Sequence, residues 1–205
     1  MKILFLTMNN NTQPLIDWLS KREDVIKYSE RLTLDYIKKI NPNLIVSYGY
    51  RYIIKDDIID FMPKERIINL HISMLPWNKC ACPNFWSWVQ NTPKGVTIHC
   101  IDKGIDTGNI LLQKEVIMDE NKETLRSSYD RLQKEIQQLF MDNWDNIKNN
   151  KIKSYPKKGK GSYHSQKDFD KVRYLLEPEG YDIIVEELIW RYNEYLKCDE
   201  MINVI

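Results

Sequence analysis

The sequence predicts an α/β fold in which a mostly parallel, twisted sheet carries helices on both faces and is followed by a carboxyl-terminal helical extension. Two observations predict this class. Short apolar runs alternate with segments of helical periodicity, which is typical of strands joined by helical crossovers. The chain of 205 residues is also long enough for one domain that buries a core without disulfides or structural metals.

The amino-terminal part of the chain predicts four strands separated by helices. A first helix has Pro14 in its first turn, a position that tolerates proline. A second helix has apolar residues at helical spacing and stops at Asn41 and Pro42. The predicted strands span residues 2–7, 25–28, 44–49 and 67–71.

The rest of the chain predicts two more strands and two helices. A turn at 91–95 precedes a strand at 96–101, and a further strand covers 110–116. One apolar stripe predicts a helix over 122–148, and a last helix covers 184–196. We expect one main domain at 1–168, with 169–205 as a helical extension packed on the same domain.

Charge and composition argue against several classes of protein. Thirty basic and 29 acidic residues leave a formal net charge of +1, so we expect neither nucleic acid nor a membrane surface as a partner. The first apolar run is too short for a signal peptide, and no stretch approaches the ~18 apolar residues of a spanning helix, which predicts a soluble, cytoplasmic protein. Of the four cysteines, Cys80 and Cys82 lack a second pair to complete a zinc site, so we expect thiols and no metal.

Three polar side chains follow two of the predicted strands. Asn69 and His71 end the fourth strand, and Asp106 lies in a loop between Gly104 and Gly108. Ligands of open α/β sheets bind beyond the carboxyl ends of strands, so these side chains can converge there. An amide and an imidazole can stabilise an oxyanion while a carboxylate accepts a proton, which suits acyl transfer to an amine. By spacing alone, a structural histidine and an aspartate that only shapes its turn are the more common explanation of such a pattern.

Two long motifs add to this pattern. Residues 69–76 (NLHISMLP) and 95–108 (GVTIHCIDKGIDTG) closely resemble the 10-formyltetrahydrofolate-dependent formyltransferases, and within them the sugar N-formyltransferases. Residues 47–51 (SYGYR) and 161–168 (GSYHSQKD) are similar to further segments of that family. The resemblance implies a Rossmann-like formyltransferase fold with a catalytic domain at 1–168. It also implies three catalytic residues, which are Asn69, His71 and Asp106.

The resemblance also implies the ligands. The formyl donor is 10-formyltetrahydrofolate as a cosubstrate, and the acceptor is the amine of a nucleotide-linked amino-deoxy sugar, for example a dTDP- or UDP-4-amino-4,6-dideoxyhexose. Two groups of residues are expected to contact these molecules. The folate-binding candidates are Tyr52, Ile53, Ile54, Asp102 and Gly104, and the substrate-binding candidates are Asn9, Asn10 and Trp77.

Other acceptors and functions stay open at this point. The loop after the first strand contains no glycine to cradle a phosphate, which argues against glycinamide ribonucleotide as the acceptor. The chain length and the balanced charge argue against methionyl-tRNA. A formate-releasing hydrolase and an inactive binding protein with this fold are two further hypotheses. The presence of all three polar residues favours an enzyme.

A few further residues carry expectations. His99 lies mid-strand and is expected as a packed or hydrogen-bonded core residue, and His164 as a structural hydrogen-bonding residue. The pair Lys79-Cys80 stands where members of the family often have Arg-Gly, which changes the loop 77–84. The apolar stripe at 184–196 suggests a homodimer interface, or a helix that packs on its own sheet.

Overall fold

The computed structural model describes residues 1–202, with side chains described through residue 198. It contains strands and helices in regular alternation over the first half of the chain. The strands are β1 (Lys2–Leu6), β2 (Asp24–Tyr28), β3 (Leu44–Ser47), β4 (Ile67–His71), β5 (Lys79–Cys80), β6 (Gly95–Cys100), β7 (Ile110–Glu115) and β8 (Tyr163–His164). The helices are α1 (Gln13–Ser20), α2 (Leu34–Ile40), α3 (Asp56–Phe61), α4 (Pro83–Val89), α5 (Leu125–Asp142), α6 (Trp144–Lys148), α7 (Gln166–Val172) and α8 (Val185–Ile202).

The main sheet has six strands in the order β2-β1-β3-β4-β6-β7. The first four strands in this order, which are β2, β1, β3 and β4, run parallel. Strand β6 pairs with β4 in the antiparallel direction. Hydrogen bonds from Cys100 N to the carbonyl of Asn109 and from Val116 N to the carbonyl of Lys94 flank β6 and β7 as in an antiparallel hairpin. The predicted α/β class, a mostly parallel sheet with helices on both faces, is confirmed.

The chain divides into two compact units. The first comprises Met1–His71, Thr97–Gln113 and Ile136–Lys158, and it contains β1 to β4 with the helices between them. Strands β1, β3 and β4 are buried on both faces, as continuous apolar runs predict, whereas the edge strand β2 is exposed or half-buried along its length. One apolar core of this unit consists of Leu4, Leu6, Leu32, Ile37, Ile45, Ile54, Ile58, Met62 and Ile67.

The second unit comprises Ile72–Val96, Lys114–Glu135 and the chain from Gly159 onwards. Its core joins α4 to α7 and α8, and it is rich in aromatic side chains. The core includes Phe85, Trp86, Trp88, Phe169, Leu175, Leu188 and Tyr192. The predicted carboxyl-terminal helices are therefore present, whereas the division of the chain at residue 168, which falls inside α7, stays a prediction.

Several element boundaries differ from the predicted ones. The helix expected over 122–148 is interrupted at Asn143, which separates α5 from α6. Helix α3 forms after β3, in a segment for which no helix or strand is predicted from the sequence. The predicted stop of α2 is confirmed, because Asn41 takes a left-handed conformation with φ of 49° and caps the helix.

The apolar stripe of α8 is partly covered within its own unit. Leu188 and Tyr192 belong to the core, whereas Ile184 and Leu196 are exposed. The stripe thus packs in part inside the second unit, and the homodimer stays a hypothesis. Every helix within residues 1–202 is too short or too polar to cross a lipid bilayer.

Candidate active site

Strand β4 presents two polar side chains on one face of the sheet. Asn69 and His71 are two residues apart, and alternate residues of a strand point to the same side. The register with β6 pairs Asn69 with His99 and His71 with Thr97. The antiparallel pairing therefore adds a second histidine beside Asn69.

Asp106 lies in the loop that connects β6 to β7. It takes a left-handed backbone conformation with φ of 50°, which aspartate tolerates better than most residues. Gly108 lets the loop return close to β6, because a Cβ atom there would lie 1.9 Å from the carbonyl oxygen of Cys100. The tight return holds Asp106 near the end of β6.

The same loop is braced from within by Asp102. Its Oδ1 atom accepts hydrogen bonds from Gly104 N at 3.2 Å and from the hydroxyl of Thr107. The ammonium group of Lys157 donates to the carbonyl of Gly108. Hydrogen bonds on both sides of Asp106 therefore restrain this part of the loop.

The structure brings the three predicted catalytic residues together. Asn69 Nδ2 lies 3.4 Å from Asp106 Oδ1, and His71 Nε2 lies 3.8 Å from Asp106 Oδ2. The His71 side chain is 10% exposed and that of Asp106 is 12% exposed, so both are largely shielded from water. Amide, imidazole and carboxylate groups thus meet at the end of β4.

His99 joins this cluster as a fourth member. It is buried and hydrogen-bonded, as expected, but its Nε2 atom lies 3.3 Å from Asp106 Oδ1 and 3.2 Å from Asn69 Nδ2. These contacts could not be predicted from the sequence, because they depend on the pairing of β6 with β4. A signal was present in the alternation of β6, which predicts that Thr97 and His99 share one face.

Cys100 belongs to the opposite face of β6 and does not supply a nucleophile. Burial raises the pKa of the Cys100 thiol to about 11, and the carboxylates of Glu65 and Asp102 act in the same direction. The thiol is therefore protonated at neutral pH, and a protonated thiol is a weak nucleophile.

The predicted folate-binding residues lie in two loops of the first unit. Ile53 follows β3 and is 74% exposed, whereas Ile54 is buried and Tyr52 is half-buried. The Tyr52 ring packs edge-on against Tyr50, with centroids 5.5 Å apart. Asp102 and Gly104 belong to the braced loop that carries Asp106.

Two of the predicted substrate-binding residues, Asn9 and Asn10, follow β1, beside β3 in the sheet. The Asn9 side chain accepts a hydrogen bond from Asn11 N at 3.0 Å and starts a short 3-10 turn. Gly49 approaches Asn9 closely, since a Cβ atom at Gly49 would lie 2.9 Å from Asn9 Cβ. Asn10 is exposed. The two asparagines thus lie at the same edge of the sheet as the polar cluster.

Trp77 belongs to the second unit and is 38% exposed. Its carbonyl accepts a hydrogen bond from the Ser73 hydroxyl at 2.8 Å. In the following segment, Cys80 has φ of 76°, a conformation that favours glycine. Cys80 stands where members of the family often have glycine, so a side chain occupies a backbone conformation that is unfavourable for every residue with a Cβ atom.

His164 is held by stacking. Its ring lies parallel to Trp86 with centroids 4.1 Å apart, and burial lowers the pKa of His164. Among the described residues, its Nε2 atom has no hydrogen-bond partner. The sequence predicts a structural hydrogen bond for His164; its Nε2 atom makes none to the described residues, and the ring is held by stacking on Trp86.

Comparison with known proteins agrees with the motifs that surround the polar cluster. The family model described as Formyl transferase matches residues 3–143. The formyltransferase PseJ from Anoxybacillus kamchatkensis, crystallised with UDP-4,6-dideoxy-4-formamido-L-AltNAc and tetrahydrofolate, is 47% identical over 94% of this chain and 100% of its own, with a TM-score of 0.85.

Curated relatives identified by sequence are longer proteins. A methionyl-tRNA formyltransferase from Thermodesulfovibrio yellowstonii is 34% identical over 67% of this chain and 45% of its own length. One from Clostridioides difficile is 37% identical over 47% of this chain and 31% of its own length. The present chain thus spans less than half of these two relatives. The family match and the likeness to PseJ show that the chain belongs to the formyl transferase family.

Proposed function

We propose that the protein transfers a formyl group from 10-formyltetrahydrofolate to the amino group of a nucleotide-linked amino-deoxy sugar. The observation that carries this proposal is the likeness to PseJ, which extends over nearly all of both chains. The PseJ crystal structure contains a UDP-linked formamido sugar and tetrahydrofolate. The cluster of Asn69, His71 and Asp106 supplies the polar groups that such a transfer needs.

The cluster divides the chemistry between two tasks. Asn69 Nδ2 and His71 Nε2 are the groups that donate to the developing oxyanion, and each such donor is worth roughly 3 to 4 kcal/mol in acyl-transfer sites. Asp106 would accept the proton that the amine loses as its new bond to the formyl carbon forms, and one proton would be returned to the folate nitrogen as its bond to that carbon breaks. The shielded position of Asp106 strengthens these charge interactions, because little water competes with them.

The residues after β3 suit a flat heteroaromatic ring. Exposed Ile53 beside the half-buried ring of Tyr52 provides an apolar surface that a pterin could cover, and loop backbone supplies donors and acceptors. Tyr52, Ile53 and Ile54 would hold the folate together with Asp102 and Gly104. When bound, the folate supplies the activated formyl group.

The acceptor is selected by residues outside the catalytic cluster. The loop after β1 lacks the glycines that cradle a phosphate, and it presents the amides of Asn9 and Asn10 instead. These side chains suit sugar hydroxyls. Exposed Trp77 offers an aromatic face for a base or sugar ring. The same features argue against glycinamide ribonucleotide as the acceptor.

A substrate screen tests the proposal. The purified protein is incubated with 10-formyltetrahydrofolate and separate UDP- and dTDP-linked amino sugars, and mass spectrometry detects the gain of one formyl group. Glycinamide ribonucleotide is a parallel acceptor, and protein without folate is the control. Formylation of a sugar nucleotide alone supports the proposal. Formylation of glycinamide ribonucleotide with no reaction of any sugar nucleotide overturns the acceptor, and no formyl transfer at all overturns the activity.

A further inference from the structure

The turn after β1 is held in shape by its own side chains. The Thr12 hydroxyl donates to the carbonyl of Asn9 at 2.6 Å and lies 3.2 Å from the Thr7 hydroxyl. Asn9 N donates to the Thr7 hydroxyl at 3.1 Å, and Asn9 Oδ1 accepts from Asn11 N at 3.0 Å. Two buried threonines therefore restrain the backbone that carries Asn9 and Asn10.

Gln137 reaches this turn from helix α5, 126 positions beyond Asn11 in the chain. Its side chain is buried, and its Nε2 atom donates to the carbonyl of Asn11 at 2.9 Å. The same nitrogen lies 3.4 Å from the hydroxyl of Tyr48, and an amide nitrogen carries two hydrogens, so it can donate to both oxygens. All three residues belong to the first compact unit.

The end of β3 contacts the same turn from the sheet. Tyr48 N donates to the carbonyl of Leu6 at 3.0 Å, and Met8 N donates to the carbonyl of Gly49 at 3.1 Å. The Gln137 amide thus joins helix α5, the turn after β1 and the segment after β3 at one point.

We propose that Gln137 is a positioning residue that keeps the turn after β1 in the shape that binds the acceptor sugar nucleotide. This inference rests on the proposed function, in which Asn9 and Asn10 contact that substrate. Exposed Asn10 stands between Asn9, whose carbonyl accepts from Thr12, and Asn11, whose carbonyl accepts from Gln137. A turn that is already ordered loses less conformational entropy when its ligand binds.

Loss of the Gln137 amide should therefore weaken binding of one substrate only. The carbonyl of Asn11 would lose its donor from α5, and the turn could leave its binding shape. The free energy of ordering the turn again would oppose binding of the sugar nucleotide, while the catalytic cluster stays unchanged. KM for the sugar nucleotide should then rise, and kcat at saturation should change little.

Two substitutions of Gln137 test this expectation. Gln137→Met keeps the length and the helix propensity of the side chain but has no donor. Gln137→Glu keeps the shape and can accept from the Tyr48 hydroxyl, but an ionised carboxylate cannot donate to Asn11. In both variants we expect KM for the sugar nucleotide to rise at least about fivefold, with kcat and KM for 10-formyltetrahydrofolate within about twofold of the wild-type values. Circular dichroism checks the fold. An unmoved KM for the sugar nucleotide in the folded variants, or an equal rise for both substrates, overturns the inference.

Gln138→Met is the matched control. Gln138 is the next residue of α5, but it is exposed and donates to Asp142 of the same helix at 2.6 Å. The same chemical change thus leaves the turn after β1 untouched, and we expect kcat and both KM values to stay within about twofold of wild type. A rise of KM for the sugar nucleotide as large as that in Gln137→Met overturns the inference.

Hydrogen exchange tests the position of the turn without turnover. Asn11 N donates to Asn9 Oδ1, and Thr12 N donates to the carbonyl of Asn9. We expect both amides to exchange at least about fivefold faster in Gln137→Met, with the amides of β1 unchanged. Unchanged exchange in the turn overturns the inference. A wild-type protein that transfers no formyl group overturns the proposed function, whereas an active wild-type protein together with a normal KM in Gln137→Met overturns this inference alone.

Discussion

The Nε2 atom of His71 lies 3.8 Å from the Oδ2 atom of Asp106, which is longer than a hydrogen bond. Catalytic partners are often this far apart before substrate binds, and they approach each other in the reacting complex. Oδ1 of the same carboxylate is already engaged by Asn69 and His99. Asn69 and His99 thus contact one oxygen of the carboxylate, and His71 faces the other.

Asp106→Asn tests the carboxylate with little change of shape. Asparagine tolerates the left-handed backbone at this position as well as aspartate does, so we expect the fold to be retained. The amide cannot accept the proton of the amine, and we expect kcat/KM to fall at least about a hundredfold. Steady-state kinetics measures the fall, and circular dichroism checks the fold.

Asp60→Asn is the matched control for this variant. Asp60 is exposed and pairs with Lys103, so the same chemical change removes only a surface ion pair. We expect its kcat/KM to stay within about twofold of the wild-type value. Similar losses in the two variants, or near-normal turnover in folded Asp106→Asn, contradict the role of Asp106.

Asn69→Ala and His71→Ala each remove one donor to the oxyanion. We expect each change to lower kcat by about a hundredfold or more while KM changes little, because the donors act mainly on the transition state. Stopped assays with a sugar nucleotide measure both constants. In Asn143→Ala, which removes an amide that donates to Leu139 at a helix end, kcat should stay within about twofold. A rise of KM alone in Asn69→Ala indicates a ground-state binding role instead.

The sequence allowed prediction of the parallel strands and of Asn69, His71 and Asp106 as neighbours, because apolar runs and strand ends are local features. Strand β4 has the predicted bounds. The contacts of His99 could not be predicted, because they depend on which strand lies beside β4. An apolar strand does not specify its neighbour, since either direction of pairing buries the same side chains. The break between α5 and α6 at Asn143 could not be predicted either, because the apolar stripe continues through it.

Gly108→Ala tests whether the loop that carries Asp106 must return tightly. A methyl group at this position would lie 1.9 Å from the Cys100 carbonyl oxygen, so the loop must move. Catalytic groups tolerate displacements of only about 0.5 Å, and we expect kcat to fall at least about tenfold. Gly159→Ala has no atom within 4 Å of its new methyl group; its φ of 83° makes alanine less stable there, but kcat should stay unchanged because the loop of Asp106 is not displaced. If Gly108→Ala has the kcat of the wild-type protein, the catalytic position of Asp106 does not depend on the close approach of the loop to Cys100.

Cys80→Gly tests the backbone conformation at the family's usual glycine position. Cys80 has φ of 76°, where a side chain costs roughly 1 to 2 kcal/mol, and glycine removes that cost while adding about 0.5 to 1 kcal/mol of unfolded-state entropy. We expect the free energy of unfolding in urea to rise by up to about 1 kcal/mol. Cys80→Ala removes the thiol but keeps the unfavourable conformation, so the difference between the two variants isolates the backbone. If alanine is as stable as glycine, the left-handed conformation of Cys80 carries no cost, and the substitution of Lys-Cys for Arg-Gly is energetically neutral for the loop.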